Sequence, residues 1–203
     1  MTAPIFADVF ADQWDELPVV MRKHYANRPR TEDRVTVEGY LNVHIHPLMK
    51  LLAPLMAWLG LLAPYAGEGV PCTVHFQSQP AGNAFIFDRW FQFPGGKSYQ
   101  FRSELLAKGP HDVIEYMRSG IGWRCAYGFE ADRVVLSHKG YAWRLFGRDI
   151  PLPGAGWIVG HGEAFEEAID DDRFAMSMTL RHPVFGRLYS YAGTFTVTEM
   201  ALA

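Results

Sequence analysis

Cysteine is nearly absent. The 203-residue chain has two, Cys72 and Cys125, and they do not form a CxxC pair. Two thiols cannot complete a zinc site by themselves, and within strand-like apolar runs they read as reduced and buried. Excess charge is also lacking. The formal net charge is −3 and no block of basic residues stands out, which excludes binding to nucleic acid through phosphate contacts. Long hydrophobic runs are few. The longest, LMKLLAPLMAWLGLLAP at 48–64, is interrupted by Lys50, Pro54 and Gly60 and falls short of the roughly 20 apolar residues of a transmembrane helix. It lacks the basic face of a helix lying in a membrane surface, so it reads as a buried helix or a lid over an apolar cavity. The opening MTAPIFADVFADQWDELP carries acids in place of the basic and apolar regions of a signal peptide. A cytoplasmic, reducing location is the resulting expectation.

Familiar reaction motifs are missing as well. There is no HExxH, no GxSxG and no complete GxxxxGK[ST]; PGGK at 94–97 sits between strand-like runs, and GAGWIVG lacks a strand–turn–helix around its glycines. No repeat or low-complexity tract occurs.

What is present is core-forming material. Hydrophobic residues make up 49% and aromatics 14% of the chain, enough for one sizeable core in one domain of residues 1–203. FADVFADQWDELPVVMRKHY predicts two short helices, with Pro18 in the first turn of the second. DRVTVEGYLNV predicts a strand. In GYLNVHIHPLMK, Pro47 suits the first position of a helix, which makes His46 its N-cap and ends the strand near His44.

From residue 70 the hydrophobic period becomes two. PCTVHFQSQ, AFIFDRWFQF, KSYQFRSELLAK, DVIEYMRS, GWRCAYGFE, DRVVLSHKGYAWRLF, GWIVGHGEAFEEAI, RFAMSMTLR and RLYSYAGTFTV follow one another, separated by turn-type clusters such as PGGK and GRDIPLPGA. Such short connections demand antiparallel pairing, and so many strands in series curl or close to protect their edges. The expected fold is α+β: helices with one strand over 1–69, then an antiparallel meander over 70–200 forming a strongly curved sheet or an up-and-down β-barrel.

Alternation sorts side chains by face. Phe85, Phe87, Phe91 and Phe93 share a face with Arg89; Val113 and Met117 flank Glu115; Trp123, Cys125, Tyr127 and Phe129 align, as do Tyr189, Tyr191, Phe195 and Val197. Trp157, Val159, Phe165 and Ile169 share theirs with His161, Glu163 and Glu167. The result is an aromatic face carrying Arg89, Glu115, His161 and Glu163. Buried charges need partners, so Glu115 or Glu163 is expected opposite Arg89. Either this is an internal ion pair, or it belongs to an apolar cavity with convergent polar groups, the make-up of a small-molecule site. A metal held by His44, His46, His161 and Glu163 is a further alternative, but ligand types alone are weak support, and neither a metal nor a cofactor is expected.

The segments FADVFADQWDELPVVMRKHY, FDRWFQF, YQFRSEL, GPHDVIEYM, IPLPGAG and DRFAMSMTLRHPVFGRLYSYAGTF, in that order, resemble a bacterial family, the domain of unknown function numbered 4166. The resemblance spans nearly the whole chain and weakens over 39–69, where NVHIHPLMK replaces a commonly more basic run. Arg89, Glu115, Pro151, Pro183, Gly186, Tyr191 and Gly193 lie in the matching motifs, the glycines and prolines with a plain reading as turn and bulge residues. The resemblance implies no reaction. It does imply an association with nicotinamide-dependent reductases, to which some members are attached.

The leading expectation is a barrel that binds or transforms an apolar metabolite such as a lipid, polyketide or terpenoid. Glu115, His161 and Glu163 would supply acid–base chemistry, and Arg89, Phe87, Phe91, Trp123, Tyr127 and Tyr191 would hold the ligand. The rival expectation is a non-enzymatic accessory module docking on a reductase partner through exposed aromatic surface.

Overall fold

The computed structural model describes residues 2–203. Two six-residue helices, α1 (Ile5–Phe10) and α2 (Val19–His24), flank a 3-10 turn at Ala11–Glu16. Pro18 takes the N-cap position of α2, one residue ahead of the expected first turn. Then come β1 (Arg34–Ile45), α3 (Pro47–Leu59), β2 (Gly67–Ser78), β3 (Phe85–Phe93), β4 (Lys97–Gly109), β5 (Asp112–Met117) and β6 (Ile121–Glu130). The chain ends with β7 (Arg133–Leu145), β8 (Arg148–Pro151), α4 (Ala155–Val159), β9 (His161–Ala168), β10 (Arg173–His182) and β11 (Gly186–Ala201).

Ten strands close into an antiparallel up-and-down barrel; β8 only pairs back on β7. Closure comes from β1, which pairs with β2 on one side and β11 on the other. The strand at 34–45 is therefore part of the barrel, not of a separate helical segment. Helix before it is a minor component that serves as a stopper.

Because consecutive strands alternate in direction, the connections fall at two ends. The helical N-terminus and four hairpin turns lie at the closed end. Phe6 packs its ring on Tyr25 (4.5 Å), Phe85 (4.9 Å) and Tyr127 (5.3 Å), and Val9 and Phe10 are fully buried. The other end receives α3, the turns after β3, β5 and β10, and the β8–α4 excursion. There α3 forms a roof. His46 caps it, with Nδ1 accepting from the Leu48 N–H at 3.2 Å, and Pro47 takes its first position.

Two segments depart from the sequence reading. GRDIPLPGA contains a strand, β8, where only a turn is expected. GWIVGHGEAFEEAI is not one strand: residues 155–159 coil as α4 and β9 starts at His161. Gly160 breaks the run at φ +101, where a Cβ would sit 2.6 Å from the Arg181 carbonyl oxygen; only glycine is at ease in both respects. Trp157 and Val159 thus lie outside the strand's alternation.

Candidate functional site

The barrel encloses a cavity of about 240 Å³. This far exceeds the roughly 10–15 Å³ that admits one water and lies just below the ~300 Å³ at which ligand sites commonly begin. Its wall is apolar: Met176, Met178 and Leu180 from β10, Trp123 and Tyr127 from β6, Phe101 from β4. Met49 and Met56 of α3, Leu61 and Leu62, and Leu152, Ala155 and Val159 form the roof. A smaller void of about 30 Å³ adjoins it, lined by His24, Phe91 and Phe174 and sharing Phe87, Arg89 and Glu166 with it.

Polar groups converge at one place. Arg89 on β3 is buried, and its Nη2 donates to Glu115 Oε1 on β5 at 2.6 Å. Ser103 on the intervening β4 donates to the same oxygen at 2.5 Å. The guanidinium also lies over the rings of Phe101 (4.4 Å) and Phe87 (4.7 Å), favourable contacts for a cation removed from water. Burial works against the Arg89 charge, but Glu115 and the neighbouring Tyr191 outweigh it and hold its pKa above the ordinary value. One nitrogen is unmatched: Arg89 Nη1 is buried and has no partner among the described residues. A buried donor left unpaired is costly, so this atom points to something that accepts from it.

A second carboxyl faces the cavity. Glu166 on β9 is buried, accepts from Tyr25 Oη at 2.7 Å, and lies 3.7 Å from His24 Nε2. Burial raises its pKa to about 7, against the opposing pull of the Tyr25 hydrogen bond and Arg89. Burial lowers His24 to about 3, and both its ring nitrogens lack a hydrogen-bond partner among the described residues. The contact is therefore not an ion pair near neutral pH: His24 is uncharged, and 3.7 Å is too long for a hydrogen bond.

The expected site residues divide accordingly. Arg89, Glu115, Phe87, Trp123, Tyr127 and Tyr191 all line the main cavity, whereas Phe91 lines the adjoining void. His161 and Glu163 do not face the interior. They are exposed on the outer face of β9, while Gly162, Ala164 and Glu166 face inward. The face assignment for this strand is thus reversed, because alternation counted through 156–160 passes across a helix and loses its phase. His161 stacks instead on His138, rings 4.7 Å apart. The metal alternative is also corrected: His44 is an exposed strand residue, His46 is a helix cap, and among the described residues neither joins His161 in a metal-binding group. Glu166, His24, Tyr25 and Ser103 escaped the sequence reading. Gly160 was the available signal for Glu166, since it marks where the helix ends and a strand must restart.

The family model described as a domain of unknown function, DUF4166, matches residues 17–195. Among solved structures, Rv2717c from M. tuberculosis is similar at 15% identity, with a TM-score of 0.45, covering 81% of this chain and 91% of that one. The dehydratase domain of the polyketide PpsC from Mycobacterium tuberculosis is similar at 8% identity, with a TM-score of 0.20, covering 91% and 81%. No curated protein matches the chain.

Proposed function

For a chain that belongs to the domain-of-unknown-function family DUF4166, we propose that the barrel binds a small apolar molecule carrying one neutral, oxygen-bearing head. The observation that carries this reading is the unpartnered Nη1 of Arg89 beside an otherwise apolar cavity. Charge balance selects the head group. The Arg89 cation is already matched by Glu115 at 2.6 Å. A ligand carboxylate would add a second anion with no free counter-charge in a low-dielectric site, whereas a carbonyl or hydroxyl can accept from Nη1 without that penalty. Glu166, with a pKa near 7, can donate a proton into a hydrogen bond to the same head.

The test is isothermal titration with decanol, a methyl nonyl ketone and decanoate at about pH 6, where decanoate is ionised and Glu166 keeps its proton. Alcohol and ketone should bind, and decanoate should bind at least 10-fold more weakly. Tighter binding of decanoate would overturn the neutral-head reading, and binding of none of the three would overturn the site. Arg89→Met alone would leave Glu115 buried and unpaired at a cost of roughly 3–5 kcal/mol, whereas removing both charges is often near neutral. The binding-deficient control is therefore Arg89→Met with Glu115→Gln.

Glu166 favours a second reading, acid–base chemistry on the bound molecule. Its pKa of about 7 is where a proton-transfer group works best at neutral pH. On this reading Glu166 takes the role expected of Glu163 and His161.

A further inference from the structure

The geometry points to the open end of the barrel as a docking surface for an anionic phospholipid membrane. It stands whether or not the cavity holds the ligand proposed above.

Apolar side chains are exposed together at this end. Leu51, Trp58, Trp157, Ile158 and Val184 are each more than 70% exposed, and Phe146 is 95% exposed. They come from α3, α4, the β7–β8 turn and the β10–β11 turn, so they ring the cavity roof rather than forming one strand's stripe. Isolated apolar residues on a surface need no explanation, but six large ones gathered at one end of a barrel mark an interaction site. Two tryptophans at its edge suit a membrane interface, where their amphipathic rings settle.

Charge chooses the partner. The segments at this end (46–68, 94–98, 118–120, 146–160 and 181–187) carry six basic residues, Lys50, Lys97, Arg118, Arg148, Arg181 and Arg187, against two acids, Glu68 and Asp149. The segments at the closed end (2–33, 130–133, 169–173 and 198–203) carry twelve acids against six basic residues. A chain of net charge −3 is thus polarised, with its cations around the apolar ring. Such a molecule turns that end toward a negative surface.

One pair sharpens the argument. Arg181 and Arg187 sit directly opposite each other across β10 and β11. Like charges in that relation repel, and both are exposed with no carboxylate within 4 Å among the described residues. A layer of lipid phosphates would relieve the repulsion. α3 itself carries one basic group, Lys50, and its neighbours in the fold supply the rest.

Co-sedimentation of the full chain with unilamellar vesicles tests this. Binding is expected to phosphatidylcholine vesicles containing phosphatidylglycerol, and not to phosphatidylcholine alone, with affinity falling as salt rises. Arg181→Gln with Arg187→Gln should weaken partition by about 30-fold. Leu51→Ser with Leu55→Ser should weaken it on the order of 100-fold. Both variants should keep the wild-type circular dichroism and melting temperature, since the changed side chains are exposed. Absence of partition onto either vesicle would overturn the proposal, as would equal partition onto both. A dimer in sedimentation velocity that is lost in Leu51→Ser/Leu55→Ser, with no vesicle binding, would assign the surface to a second copy of the chain instead.

Discussion

Two buried groups in contact titrate in opposite directions, and this sets the pH response of the protein. Glu166 has a folded pKa of about 7 against an ordinary 4.5, so the fold prefers its neutral acid. Stability from this group is fully present below pH 4.5 and is lost as pH rises through 7, a change of about 3 kcal/mol. His24 runs the other way. Its folded value of about 3 lies below 6.5, so its contribution is present above pH 6.5 and is lost as pH falls toward 3. Glu166→Gln keeps a neutral acceptor for the Tyr25 hydroxyl and removes only the first effect. Between about pH 4.5 and pH 6.5 the two slopes oppose and nearly cancel in wild type, so urea midpoints of the variant should rise with pH across that window, where wild type stays nearly flat, and level off above about pH 7. A variant as flat as wild type across that window would show that Glu166 is not the group responsible.

At the scale of the element, α3 decides access to the cavity. It turns Met49 and Met56 inward and leaves Leu51, Leu55 and Trp58 in solvent. Pro54 interrupts its hydrogen bonding, and Gly60 ends it in the left-handed region at φ +66. A helix with so little buried surface depends on its attachments. Arg118 supplies two: its Nη2 donates to the carbonyls of Ala57 (3.0 Å) and Trp58 (2.6 Å), where a cation also suits the negative end of a helix. Tyr99 adds a third, to the Leu61 carbonyl at 3.0 Å. Arg118→Ala should therefore speed amide exchange at Gly60 and Leu61 and accelerate decanol release. Global stability should fall by at most about 1 kcal/mol. A variant that loses global stability while exchange at 60–61 stays unchanged would show that this arginine is not the roof's fastening.

For the whole molecule, the barrel closes along the β1–β11 seam, and two glycines let the strands approach there. A Cβ on Gly193 would sit 1.8 Å from the Tyr40 carbonyl oxygen, and one on Gly39 2.0 Å from that of Thr194. Both obstacles are backbone and cannot swing aside. Gly193→Ala should thus break pairing between the first and last strands and with it the register of the cavity wall. Thermal unfolding should become broad or shift down by more than about 10 °C, well beyond the roughly 2–4 °C that about 1 kcal/mol produces in a domain of this size. An unchanged melting curve would mean that the seam relaxes without cost.

The local signals in the chain determined its elements and much of its inner face. Period-two runs between turn clusters required an antiparallel meander; His46-Pro47 marked the start of α3; and the phase of β3, β5 and β6 carried Arg89, Glu115, Trp123 and Tyr127 inward, because nothing within those runs shifts the alternation before these residues. Alternation is a short-range rule and does not survive a break. At Gly160 the chain leaves a helix, so the inward carboxyl of β9 is Glu166 and not Glu163. Tertiary structure alone decided the remainder. Pairing of β1 with β11 joins residues some 150 positions apart and turns a curved sheet into a closed barrel, a choice made by edge protection across the whole sheet. It also brought His24 and Tyr25, from a helix at the closed end, against Glu166. No periodicity encodes that meeting, since it depends on which end of the barrel the N-terminal helices fill.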